Sequence, residues 1–131
     1  MLSPRIRAFL AEPRFAVLAT VNIDGSPQQT VMWYDLEGDL LCMNTAEGRI
    51  KVANLRRDPR VSVCIEDGYR YVTLTGRAHL IEEQERAQAD IARLAVRYHG
   101  YERAQSMLEQ FRSQRRITIL VPIERASAHG F

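Results

Sequence analysis

The densest candidate chemistry in the chain lies in residues 44–61, from Asn44-Thr45-Ala46-Glu47-Gly48-Arg49-Ile50-Lys51 through Asn54-Leu55-Arg56-Arg57-Asp58-Pro59-Arg60-Val61. Strand-like apolar residues precede this stretch (Leu40, Leu41, Met43), and Val61-Ser62-Val63-Cys64-Ile65 follows it, so a short helix is expected between two strands. Its start carries a hydroxyl (Thr45), a glycine (Gly48) and two cations (Arg49, Lys51). A helix N-terminus presents unpaired N–H groups and partial positive charge, which suits an anion. A planar guanidinium and a point-charge ammonium beside it would make a phosphate cradle. The same residues also suit the solvated face of a short helix. Positions 49 and 51 do not share a helix face, so they converge on one ligand only if Arg49 sits at the loop–helix junction.

Other chemistries find less support. Cys42 and Cys64 sit in apolar runs, where buried reduced thiols are expected, and they form no CxxC and have no histidine at ligand spacing, so no metal site is expected. His79, His99 and His129 belong to no motif that joins them to a nucleophile. The carboxylates are scattered over helices and turns, and no P-loop or dinucleotide-binding glycine fingerprint occurs. Trp33-Tyr34 and the pair Tyr69 and Tyr71 would wall a flat aromatic ligand, or serve equally as core or interface aromatics. Arg56-Arg57, Arg60 and Arg115-Arg116 read as solvated faces, or as contacts to a polyanion.

The elements that must position these residues can be read from composition and period. The 131 residues fit one domain, 1–131, with 46% hydrophobic and 26% charged residues, and need no disulfide or metal to hold a core. A net charge of +2 is too small to argue for nucleic acid. The start carries no signal-peptide pattern and no apolar run is long enough to span a membrane, so the expected location is cytoplasmic.

Ser3-Pro4 reads as an N-cap followed by proline in the first turn of a helix that Pro13 ends. Strands are expected over 15–21, 28–36, 40–44, 60–66, 69–81 and 116–121. Asp24-Gly25, Glu37-Gly38-Asp39 and Asp67-Gly68 supply the turns. Between the last two strands the period changes to helical, and His99-Gly100 divides that region into a helical pair. Pro122 marks a weakening or an edge in the last strand. A meander with one helical excursion implies an α+β fold: an antiparallel six-stranded barrel with short helices at its ends.

Taken together, these residues resemble a known family. The Asp-Gly hairpin with Pro27, a strand ending Val31-Met32-Trp33-Tyr34, and Thr45…Gly48-Arg49-x-Lys51-x-x-Asn54-Leu55-Arg56-Arg57-Asp58-Pro59-Arg60-Val61 are similar to the split β-barrel flavin and deazaflavin oxidoreductases, the superfamily of pyridoxamine 5′-phosphate oxidase. The resemblance implies a homodimer with the cofactor at the subunit interface. Arg49 and Lys51 would hold the cofactor phosphate, with Thr45 and Gly48 contributing at the helix start. Val31, Met32 and Trp33 would line the ring, and Tyr69 and Tyr71 would approach it from the other subunit. The C-terminal segment lacks the Arg- and Trp-containing tail that clamps pyridoxal phosphate in the true vitamin oxidases, so that activity is not expected. The spelling of residues 48–59 resembles the branch using the deazaflavin coenzyme F-420, whose anionic tail would engage Arg56 and Arg57. The implied function is hydride transfer from reduced coenzyme F-420 to a conjugated acceptor such as an enone, quinone or bilin. FMN is the alternative cofactor, and non-catalytic flavin or tetrapyrrole binding the alternative role. No catalytic residue is assigned; solvent or a tyrosine such as Tyr71 would supply the proton.

Overall fold

A computed structural model describes residues 2–131. The chain runs α1 (Pro4–Ala11), β1 (Ala16–Val21), β2 (Pro27–Met32), β3 (Asp35–Glu37), β4 (Leu40–Ala46), α2 (Ile50–Arg57), β5 (Arg60–Asp67), β6 (Arg70–Arg77), β7 (His79–Ile81), α3 (Gln84–His99), α4 (Tyr101–Arg112) and β8 (Arg116–His129). The strands form one antiparallel sheet in the order β2-β1-β5-β6-β8-β4-β3, with β7 also paired to β8. This is the expected α+β split barrel.

Eight strands stand where six were expected, because two of the six break. The run 28–36 divides at Trp33-Tyr34, where the Tyr34 N–H donates to the Tyr98 hydroxyl (3.0 Å) instead of to a neighbouring strand. That hydroxyl in turn donates to the Arg14 carbonyl (2.6 Å). The run 69–81 divides at Ala78, whose N–H is taken by the Pro59 carbonyl at 2.8 Å.

β8 departs from expectation in the other direction, passing through Pro122 to His129. Its first half pairs with β4 (Ala46↔Arg116 to Leu40↔Pro122) and its second half with β6 (Gly76↔Ile123 to Tyr71↔His129). Pro122 stands at that changeover, next to a bulge between Thr75 and Gly76 that leaves Glu124 without a partner across the ladder, one of the few places a proline fits a sheet. The strands approach so closely there that a Cβ on Gly76 would lie 2.5 Å from the Pro122 carbonyl oxygen.

Leu18, Met43, Val63, Leu74 and Ile119 fill the barrel, and one end is plugged by Ile6, Phe9 and Leu10 of α1. The Ser3 side chain caps that helix through the Ile6 N–H (3.2 Å). Buried Tyr34 lies with its hydroxyl 2.9 Å from the carbonyls of Leu10 and Glu12, closing the other end of α1. The helical pair does not sit at a barrel end: α3 lies along β4 and β8, where Asn44 donates to the Ala87 carbonyl (2.9 Å) and Thr118 to Asp90 (2.6 Å). Cys42 is fully buried as expected, whereas Cys64, on the outer face of β5, is only half-buried; both are free thiols.

Candidate functional site

Gly48 turns the chain from β4 into α2 with φ +94, a backbone region that side-chain-bearing residues avoid. The next residue, Arg49, is the N-cap of α2 with an extended backbone (φ −77, ψ 149). Arg49 therefore stands at the loop–helix junction, the one placement that lets positions 49 and 51 serve the same ligand.

Lys51 is 7% exposed. Among the described residues its ammonium has neither a hydrogen-bond acceptor nor a carboxylate within ion-pair reach. Burial lowers its pKa, and the charges of Arg49 and Arg116 lower it further. A buried cation among cations is costly unless an anion joins it.

For Arg116 the sequence left two readings open, a solvated face or a contact to a polyanion, and the first does not hold. Its neighbour Arg115 is exposed and pairs with Glu82 (3.4 Å), but Arg116 is itself buried. Strand alternation explains the difference: Arg116 shares a face with Thr118, and α3 and α4 cover that face. Its Nε donates to Asn44 Oδ1 (3.0 Å), its Nη1 to Gln114 Oε1 (2.6 Å), and its guanidinium lies 5.3 Å from the centre of the Phe111 ring. Burial first, and Arg49 second, lower its pKa to about 10.

Arg116 and Asn44 form the polar wall of a cleft of about 230 Å³ whose other lining residues are Val31, Met32, Trp33, Ile91 and Phe111. The sequence-expected ring-lining residues are thus brought together with a cationic wall. Trp33 is held by stacking on Tyr98 (5.3 Å between ring centres) and by the edge of His99 (5.2 Å). Among the described residues none lining the cleft is a carboxylate, histidine, cysteine or tyrosine, so this wall offers no general acid of its own. The cleft is smaller than the ~300–1,000 Å³ of complete ligand pockets.

The other expected residues lie elsewhere. Thr45 is buried on β4, on the face opposite that of Asn44. Arg56 is paired with Glu47 (2.7 Å) and Glu82 (2.8 Å), and the Glu47 carboxylate also takes the Gly48 N–H at 3.1 Å. Arg57 donates to the Val21 carbonyl and to Asn54 Oδ1, and Asn54 Nδ2 reaches Thr20 (3.0 Å) and Asn22 (2.9 Å). These two residues clamp α2 onto the end of β1, so part of the family-like spelling holds the helix that carries Lys51. Tyr69 is 93% exposed in the β5–β6 turn, and Tyr71 stacks on His129 at 4.9 Å. Tyr71 pairs with Glu66, six residues along β5 from Arg60 at the α2 end, or roughly 20 Å away.

A further cluster, Glu37, Cys42 and Asp90, brings three potential ligand atoms within 4.8 Å of one another, but arginines already occupy it. Arg93 bonds to Asp90 (2.8 Å), Asp35 (3.0 Å) and Glu37 (3.1 Å), and Arg86 to Asp90 (2.9 Å). No helix among the described residues is long and apolar enough to cross a membrane.

Comparisons with known proteins agree with this architecture. The family model described as pyridoxamine 5′-phosphate oxidase matches residues 2–126. A conserved hypothetical protein from Mycobacterium tuberculosis is 31% identical with a TM-score of 0.84, over 98% of this chain and 84% of its own. An F-420 reductase is 26% identical with a TM-score of 0.76, over 92% of this chain and 94% of its own. The heme storage protein HutZ from Vibrio cholerae shares the fold at 22% identity, with a TM-score of 0.75 over 99% of this chain and 96% of its own.

Proposed function

Because this chain belongs to the pyridoxamine 5′-phosphate oxidase family, we propose that it is an oxidoreductase that binds a phosphorylated flavin-type cofactor, with coenzyme F-420 as the leading candidate. The observation that carries this reading is the convergence of Arg49, Lys51 and Arg116, without a carboxylate, beside the cleft lined by Val31, Met32 and Trp33. These residues fit such a group: the cations match a phosphate, and the apolar residues match a flat ring. When bound, the cofactor supplies hydride transfer to a conjugated organic acceptor of the enone, quinone or bilin class. The chain binds the phosphate, orients the ring against Trp33 and excludes water with Ile91 and Phe111.

The proposal extends to a cytoplasmic homodimer. The cleft falls below the usual size range, and Val31 beside it is 68% exposed, as expected of a wall that a second copy completes. Tyr69 and Tyr71, which do not line the cleft of their own chain, would serve the cleft of the second copy. Sedimentation of the purified protein reads the assembly directly; a monomer at all concentrations would remove the interface site.

FMN is the second reading, and the ion pairs favour keeping it. Arg56 and Arg57, the arginines assigned to the coenzyme F-420 tail, are already engaged by Glu47, Glu82, Val21 and Asn54. Parallel titration of cofactor-stripped protein with FMN and coenzyme F-420, read by thermal shift, separates the two. A ligand that binds only the folded state stabilises it in proportion to the logarithm of its concentration over Kd. Selective stabilisation by coenzyme F-420 is the expected result, and selective stabilisation by FMN would transfer the assignment. No shift with either would refute the cradle. Tight binding without turnover of any acceptor would make the protein a carrier.

A further inference from the structure

We propose that Arg116 is a third anion-binding residue of this site, and that its polar end takes a ligand group carrying two negative charges rather than one. The proposal rests on the reading of Arg49 and Lys51 as a cofactor cradle and adds to it a residue and a charge requirement.

The buried and half-buried arginines of this fold are treated in two ways. Arg86 and Arg93, on the covering helix α3, are met by Asp90, Asp35 and Glu37. Arg116 is more buried than either, yet among the described residues it has no carboxylate partner. An acid is available nearby but is kept from it. Arg116 donates to Asn44 Oδ1, Asn44 donates to Thr118 (3.2 Å), and Thr118 donates to Asp90 (2.6 Å). Asn44 and Thr118 are therefore neutral spacers: they fix the guanidinium against the cleft without cancelling its charge, and Asp90 is already shared by Arg86 and Arg93. Gln114, also neutral, fixes the other side.

The result is a three-cation corner in which Arg49 and Arg116 oppose the charge of Lys51, and Arg49 that of Arg116. One negative charge leaves two cations uncompensated in a dry setting, whereas two charges leave one, on the exposed Arg49. Two ligand chemistries supply two charges in a short span. One is a phosphate monoester above its second pKa of about 6, as in FMN. The other is a phosphodiester with an adjacent carboxylate, as in coenzyme F-420.

The test is calorimetric titration of the cofactor-stripped full chain and its R116Q and R116K variants with four ligands. These are FMN, riboflavin, coenzyme F-420 and the phosphate-free deazaflavin riboside. R116Q is expected to weaken the charged ligand at least tenfold and leave its uncharged parent unchanged, with R116K restoring most of the loss. A merely structural arginine would weaken charged and uncharged ligands alike. The pH profile of the wild type needs no variant. FMN affinity is expected to climb between pH 5 and 7.5 as the phosphate takes its second charge, while the affinity of riboflavin, which has no phosphate, shows no such climb. Equal loss with both members of a pair, no loss in R116Q, or an FMN profile without that climb would overturn the role of Arg116 while leaving Lys51 in place. A wild type that prefers neither charged ligand over its parent would overturn the cradle itself.

Discussion

Two arginine-bearing regions lie on opposite sides of Asn44 and Thr118, and they treat charge in opposite ways. On one side Arg86 and Arg93 meet Asp35, Glu37 and Asp90, and each cation has an acid within 3.1 Å. On the other, Arg49, Lys51 and Arg116 lie together with no acid at all among the described residues. In Asp90 burial works to raise the pKa, yet the hydrogen bond from Thr118 and those from Arg93 and Arg86 hold it below its ordinary value. In Lys51 and Arg116 burial has no such opponent and the pKa falls. The first region satisfies its charges internally and so contributes stability. The second leaves them without an acid among the described residues, at a cost in stability.

The contrast predicts where substitutions act. Asp90→Ala should have the largest effect, a loss of about 2–3 kcal/mol in urea denaturation, because it removes the buried acid that Arg86, Arg93 and Thr118 share. A loss under about 1 kcal/mol would mean the paired region is not what holds α3 to the sheet. Lys51→Met, which keeps the buried stem and removes the charge, should weaken the phosphorylated cofactor by about 1.5–3 kcal/mol. Ligand-free stability should stay level or rise in that variant, and a fall would erase the contrast.

Acid sharpens it further. The folded-state pKa of Asp90 is depressed, so its contribution is present above the ordinary value of 3.8 and is lost as pH falls through the folded value. Denaturation midpoints measured from pH 6 down to 2 should drop more steeply in the wild type than in Asp90→Asn. The smallest effect belongs to Arg56→Ala, whose exposed ion pairs should cost under about 1 kcal/mol. If that variant instead loses coenzyme F-420 affinity while keeping FMN, Arg56 leaves Glu47 for the ligand.

Much of the fold was legible because turns and caps are local. Ser3-Pro4, Asp24-Gly25, Asp67-Gly68 and His99-Gly100 all mark the boundaries they suggest. The strand breaks were not, since Tyr34 leaves the ladder for the hydroxyl of Tyr98, sixty-four residues away. Pro122 misled for a related reason, as its tolerance depends on β8 changing partners at that residue. In the site, Arg49 and Lys51 could be singled out from spacing beside Gly48. Arg116 could not, because an Arg-Arg pair opening a strand looks solvated until α3 and α4 are known to cover alternate residues. Apolar residues on both faces of this strand, Ile117 and Ile119 on one and Leu120 on the other, were the available signal that both faces are covered.

The long β8 strand also sets the order of assembly. β4 and β6 find their shared partner only in residues 116–129, seventy or more residues after β4. While a ribosome is still making α3 and α4, both earlier strands present open, apolar edges of the kind that recruit other chains. Pairing across such separations is slow, so the nascent protein passes through a window in which a holdase chaperone has most to protect, and a β8 variant that folds late should lose yield before it loses activity.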